Sequence, residues 1–361
     1  MRKLATVRTI SDIRPIEGAD KICLAIIDGW QVVVNVGEFK VGDLCAFFEI
    51  DSFLPIRPEF ERLRKNCLRT FQGEQGYRIK TIRLRGQLSQ GFALPIGLFI
   101  DDFIDSDEDE GQELCEFFFP GSDLTDLLKV KKYEKPVPAE LEGQVTGTLP
   151  NFIPKTTQER CQNLNKYIFD FKKNARYEVS LKMDGSSFTS FYFNGEEGVC
   201  TRRWQVEINE KTQQNKFVRT YIDSNLREAL IKYGKNIAVQ GELVGPGIEQ
   251  NRERFDSHKL FVFDIYDMDN HRYFTPEQRY EIFEEIMSLG IDRNIISHIP
   301  ILFKNVSMDD LGIENINQLL FFADGQGYNP GVIREGVIFK DWTDQFSFKV
   351  ISNSMLLSEE E

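Results

Sequence analysis

Apolar positions in the first third of the chain come in short runs, at 24–27, 31–36, 44–50 and 77–84, separated by Gly29, Gly37, Gly42 and Gly86. Runs of this length cut by glycine read as strands, and residues 1 to about 120 contain no long stretch of helical period. Such strands close naturally into a small β-barrel. Beyond residue 150 strands alternate with helices, an α+β pattern. Residues 187–193 and 198–204 predict a hairpin turning at Asn194-Gly195, a pair suited to left-handed turn geometry. Residues 223–233 predict a helix ended by Gly234. Thr275-Pro276-Glu277-Gln278 is a capping box with proline at the first helical position, and it predicts a helix running to about Leu289 and stopping at Gly290. Ser307 predicts the cap of a third helix extending toward Phe322. The stretch 121–150 is polar and includes Lys135-Pro136-Val137-Pro138, which predicts an interdomain linker. The expected organisation is a barrel over 1–120, a linker over 121–150 and an α+β domain over 151–361.

The length of 361 residues is enough for two domains, each with its own core. No apolar run approaches the ~20 residues that cross a bilayer, and no signal-type stretch follows Met1-Arg2-Lys3-Leu4, so an intracellular, soluble protein without a membrane partner is expected. Six cysteines without a Cys-x-x-Cys pair, and three histidines, argue against structural zinc and read as reduced, mostly buried thiols. The net charge of −13 opposes nucleic-acid binding only if it is spread evenly. Acids concentrate at 101–110, read as a solvated loop, and at 359–361. Between 62 and 85 the sign reverses: Arg62, Arg64, Lys65, Arg69, Arg78, Lys80, Arg83 and Arg85 interleave with Phe71 and Tyr77. Clustered cations and aromatics form the footprint of a strand-binding surface, and a solvated basic face is the alternative.

The most informative segment is 178–187, where a β-prone run ends in Lys182-Met183-Asp184-Gly185. This arrangement suits a lysine that attacks a nucleotide phosphate, and a surface turn is the alternative. An ordinary lysine, with a pKa near ~10.4, is almost fully protonated at neutral pH, so a nucleophilic one requires a lowered pKa. Four further segments follow in order: Thr201-Arg202-Arg203, Gly241-Glu242-Leu243, Phe261-Val262-Phe263-Asp264-Ile265 and Glu335-Gly336-Val337-Ile338-Phe339-Lys340. Ser347-Phe348-Lys349-Val350-Ile351 closes the set. Each is weak by itself, and their order and spacing are the signal. The set resembles the covalent nucleotidyltransferases, the superfamily of DNA ligases, RNA ligases and capping enzymes. It is most similar to ATP-dependent RNA ligases of the Naegleria type, which carry an OB module before the catalytic domain. Residues 153–164 and 84–91 also resemble segments recurring in such ligases, and 13–22 resembles the opening of OB-type tRNA-binding modules.

The resemblance implies an OB-like barrel followed by an adenylyltransferase domain, which joins RNA 5′-phosphate and 3′-hydroxyl ends through lysyl-AMP and an adenylylated RNA end. Lys182 would take AMP from ATP. Asp184, Glu242 and Glu335 would converge on Mg²⁺ or Mn²⁺, and together with Gly185 they would border the nucleotide. Phe261 and Phe263, two apart, share a strand face opposite Val262 and Asp264. The family pattern favours Phe263 for stacking on adenine, with core packing as the competing use. Arg202 would hold a phosphate or the 3′-end, and Lys349 would contact the α-phosphate and help depress the pKa of Lys182. Relatives place a second lysine two residues from Lys349, where this chain has Ser347 and Ile351, and Lys340 is the available stand-in. Arg160, with Thr156 and Gln162, would help bind the nucleotide or RNA end. Arg78, Lys80, Arg83 and Arg85 would guide the strand. A monomer is expected. DNA ligases and capping guanylyltransferases use the same lysine but carry the barrel after the last motif, and only residues 350–361 follow Lys349 here. A non-catalytic RNA-binding relative is the remaining alternative, disfavoured by the intact acid set.

Overall fold

A computed structural model describes residues 3–102, 119–133 and 141–358. The chain divides into two compact units, Met1–Pro136 with Leu357–Glu361, and Val137–Leu356.

The first unit is built from short antiparallel strands. Ala5–Thr9 and Phe92–Pro95 flank Leu44–Phe48; Asp12–Pro15, Ile22–Ile27 and Trp30–Asn35 form a meander; and Ser52–Pro55 pairs with Glu74–Arg78, itself paired with Leu68–Phe71. These strands close around fully buried Phe47, Phe48, Phe60, Tyr77 and Trp30, which supply the apolar area that strands of four to six residues cannot bury alone. The stretch expected as a linker is divided between the units. Leu124, Leu128 and Val130 are buried in the first unit's core and Lys131–Lys132 pairs with Ser52–Pro55, whereas Val145–Thr148 pairs with Trp204–Val206 in the second. Its polar composition conceals a few apolar residues spaced to plug a barrel. Lys135-Pro136-Val137-Pro138, most of the acidic run 101–110, Cys115 and 359–361 lie outside the described residues.

Two sheets form the second unit among the described residues. The larger runs Val145–Thr148, Trp204–Val206, Glu196–Thr201, Ser186–Phe193, Ile237–Val244, Lys259–Asp267 and Arg272–Tyr273, with Ile296–His298 also on Lys259–Asp267. The smaller runs Glu159–Arg160, Ser347–Ile351, Gly336–Asp341, Tyr177–Lys182 and Ile301–Val306. The Asn194-Gly195 hairpin forms as expected, both residues at positive φ (51° and 89°). The Thr275–Gln278 capping box starts the helix Pro276–Met287. Two helices differ from expectation. Lys216–Asp223 and Leu226–Tyr233 are separated by Asn225 in the left-handed conformation, and the third helix spans only Ile316–Phe322, capped by Asn315. Ser307 and Asp310 instead close a reciprocal turn that stops at Gly312, with φ 69°.

Strand alternation decides which side chains meet. Tyr177 and Val179 enter a core with Val337, Phe339, Phe348 and Val350, so Glu178, Ser180 and Lys182 project from the opposite face. On the larger sheet, Phe188, Val239, Leu260, Val262 and Ile265 pack beneath the helices, leaving Ser187, Gln240 and Glu242 on the other face. The Gly241–Val262 and Gln240–Asp264 pairings leave Phe263 as an extra, bulged residue. Expected alternation is therefore broken, and Phe263 and Asp264 do not take opposite faces.

Candidate active site

Lys182 ends its strand opposite Gly336, which sets it beside Glu335, and the amine donates to Glu335 Oε1 at 2.5 Å. Gly336 is required there: its φ is 154° and a Cβ would run into the Val350 carbonyl. Gly185 has only the second of these constraints, the place of its Cβ being filled by Leu243 O and Val244. The glycines of both motifs thus let neighbouring backbones approach closely enough to bring Lys182, Asp184, Glu242 and Glu335 together. Lys349 lies on the next strand, opposite Ile338, and exerts a charge effect on Glu335. Arg160 pairs with Lys349 in parallel register.

The electrostatics of this cluster run against the value a nucleophile requires. Burial disfavours the Lys182 ammonium, but attraction to Glu335, Glu242 and Asp184 outweighs it and holds the pKa above the ordinary lysine value. Glu242 is pushed up to about 8 by burial, then by repulsion from Glu335 and Asp184, with Lys182 and Arg202 acting in the other direction. Glu335 is raised as well, chiefly by burial. Its Oε2 is buried without a hydrogen-bond partner. Among the described residues no three acidic, histidine or cysteine side chains stand as a ready-made metal cage. The orphaned oxygen, converging acids and raised pKa values suit a Mg²⁺ or Mn²⁺ ion completed by water and nucleotide phosphate, the usual composition of a Mg²⁺ site.

Comparison with known proteins finds similarity along the whole chain. An OB-fold domain model matches residues 4–96, and an RNA ligase model matches residues 175–351. Naegleria gruberi RNA ligase solved with PPi is 36% identical with a TM-score of 0.82, covering 100% of this chain and 99% of that one. A variant of the same ligase solved with ATP and Mn is 35% identical, TM-score 0.81, covering 99% of each chain. Another, with AMP and Mn, is 36% identical at the same TM-score and coverage. The chain belongs to the RNA ligase family. No curated protein matched it in sequence.

The ligase's remaining predicted residues fall into three groups. Arg202 is exposed, in the bend between Glu196–Thr201 and Trp204–Val206 and not on a strand, and donates to Thr157 Oγ1 at 3.1 Å. Its neighbour Thr156 shares a 2.7 Å hydrogen bond with Ser187, which pairs with Glu242, so this segment borders the acid cluster. Phe261 is 1% exposed and belongs to the core, whereas Phe263 is only partly buried, with the Lys340 ammonium over its ring, 5.4 Å from the centroid. Lys340 does not stand in for the missing second lysine. It is buried and donates to Asp264 Oδ1 and to Phe263 O, each at 2.5 Å. In the barrel unit Arg78 pairs with Asp51 at 3.1 Å and stacks over Tyr133, while Lys80, Arg83 and Arg85 are exposed along and beyond the Thr81–Leu84 strand.

Two features of the ligase escaped sequence reasoning. One is an ionic layer on the Lys182 face of the smaller sheet. Arg279 from the capped helix donates to both Glu178 oxygens (2.6 and 2.5 Å), Tyr280 donates to Glu178, and Lys340 with Asp264 completes the set. His298 belongs to it: Nε2 accepts from Arg279 at 3.1 Å and Nδ1 donates to Ile299 O, so the ring is neutral, and burial followed by the Arg279 charge lowers its pKa to about 4. The other is Arg252, which pairs with Asp184. Neither carries a local signature, since an isolated Arg or Glu in a strand or loop has many uses.

Proposed function

We propose that this RNA ligase joins RNA 5′-phosphate and 3′-hydroxyl ends with ATP, through AMP attached to Lys182. The observation that carries the reading is the grouping of one lysine with Asp184, Glu242 and Glu335, beside Lys349. Lys182 Nζ attacks the α-phosphate of ATP, the bond to pyrophosphate breaks, and the amine loses its proton to give a phosphoramidate. AMP then passes to the RNA 5′-phosphate, releasing Lys182, and the 3′-hydroxyl attacks that activated phosphate and expels AMP. A divalent ion held by Asp184, Glu242 and Glu335 would offset their pull on Lys182, favour the neutral amine and neutralise charge on the nucleotide phosphates. Lys349 meets negative charge building on the α-phosphate, Phe263 offers its ring to adenine, and Arg202 with Arg160 holds the reacting ends. Exposed Lys80, Arg83 and Arg85 guide the RNA strand. An intracellular setting is supported by five buried free cysteines, Cys23, Cys45, Cys67, Cys161 and Cys200. Among the described residues no helix is long and apolar enough to cross a membrane.

Incubation with α-labelled ATP and Mg²⁺ is expected to give a labelled protein, and Lys182→Ala to abolish the label. Mass spectrometry should place one AMP on residue 182. Labelling by GTP alone, or RNA joining that persists in Lys182→Ala, would overturn the assignment.

A further inference from the structure

The Glu242 and Phe263 strands are connected by residues 245–258, a strap of unusual backbone. Gly245 and Gly247 take φ of 131° and 72°, and the non-glycine residues Glu249, Asn251 and Arg254 follow at 42°, 45° and 55°. Non-glycine residues rarely adopt this region, and three of them within six positions require outside support. That support is present. The Asn251 side chain donates to Phe255 O at 2.9 Å and accepts from Phe255 N at 3.1 Å. Buried Glu253 accepts from the backbone N–H groups of Tyr328 (2.9 Å) and Asn329 (2.7 Å), and Gly327 lies so close to its carboxylate that a Cβ would not fit. Phe255, Phe261 and Tyr328 pack their rings together, with centroids 5.1 to 5.7 Å apart. The strap is thus tied to the loop that leads into Glu335.

This construction fixes one side chain against the site. Arg252 Nε stands 2.6 Å from Asp184 Oδ2, the two side chains 18% and 25% exposed. Three acids, Glu335, Glu242 and Asp184, act on Lys182. A guanidinium delivered on a supported loop is a further cation for the cluster, beside Lys182, Lys349 and Arg202, and it is placed on an acid that Lys182 does not hydrogen-bond.

We propose that Arg252 is a positioning residue for adenylylation: it holds the Asp184 carboxylate and competes with a divalent cation for it. This rests on the reading of Asp184 as part of the metal and nucleotide site. Competition makes a direct prediction about metal affinity, because removing the guanidinium releases a carboxylate to the ion. A purely structural ion pair would instead give unchanged or weaker binding as the loop loosens.

The test uses the full chain without nucleotide and Mn²⁺ alone as probe, followed by electron paramagnetic resonance. Arg252→Ala is expected to bind Mn²⁺ about fivefold more tightly, and Arg252→Lys within about twofold of the unsubstituted protein, the scale of one partly exposed ion pair. At saturating Mn²⁺ and ATP, Arg252→Ala should lower kcat for AMP-adduct formation about tenfold, with KM for ATP changed less than about threefold, because positioning and not nucleotide affinity is lost. Should Arg252→Ala fail to fold, Arg252→Gln, neutral and of similar reach, is read in the same way. Equal or weaker Mn²⁺ affinity in the folded neutral variant overturns the proposal, and intact adduct formation in the unsubstituted protein then leaves the ligase reading standing. Absence of the adduct in the unsubstituted protein defeats that reading separately, while the Mn²⁺ comparison still decides the role of Arg252.

Discussion

Lys340 and Lys349, on adjacent strands, show how position sets what a lysine does. Lys340 is enclosed by Asp264 and the Phe263 carbonyl, and burial outweighs these partners to lower its pKa. Removing its charge leaves Asp264, among the described residues, with the longer ion pair to Arg279 at 3.8 Å. Lys340→Met should therefore cost about 3 kcal/mol in urea unfolding. Lys349 acts on Glu335, and in the proposed reaction it would meet the α-phosphate. Lys349→Ala is expected to change unfolding by less than about 1 kcal/mol while slowing AMP-adduct formation about 100-fold, measured by intact mass after rapid quench. Equal stability losses in the two variants would remove this distinction.

Among the elements, the capped helix Pro276–Met287 supports the lysine strand without supplying a site residue. It carries Arg279 into contact with Glu178, on the strand that ends in Lys182, and with His298. The histidine pKa of about 4 lies below its ordinary 6.5, so as pH falls the unfolded chain takes up a proton before the native one does. Stability from this residue is full above pH 6.5 and is lost between 6.5 and about 4, by at most about 3 kcal/mol. Denaturant midpoints across that window should fall with pH, and His298→Gln, which keeps an acceptor for Arg279, should remove part of the slope. A histidine NMR titration with its midpoint near 6.5 would contradict the assignment. The hairpin at Asn194-Gly195 is different in kind: Gly195→Ala, at φ 89°, should cost about 1 kcal/mol and leave adenylylation unchanged.

At the scale of the whole molecule the acidic net charge and the RNA substrate are reconciled by local sign. Replacing Lys80, Arg83 and Arg85 by alanine should weaken RNA joining and reduce its salt dependence by roughly one unit of slope for each phosphate no longer neutralised, with AMP-adduct formation intact. Arg78→Ala belongs to another class, since Asp51 and Tyr133 hold it, and a stability loss is expected in its place. Much of this was legible in the chain. Glycine-cut apolar runs specified the barrel, Asn194-Gly195 and Thr275–Gln278 specified their turn and cap, and the ordered motifs pointed to Lys182, Asp184, Glu242 and Glu335, because local conformation and a lysine beside acids are written in contiguous residues. What the sequence could not determine were relations between distant residues. The bulge at Phe263 changes which side chains share a face, Lys340 is consumed by Asp264, apolar residues of 124–130 fill a barrel, and Arg252 reaches Asp184 across 68 positions. Each depends on strand register and loop course, which are decided only when separate segments compete to bury their apolar faces and pair their charges in three dimensions.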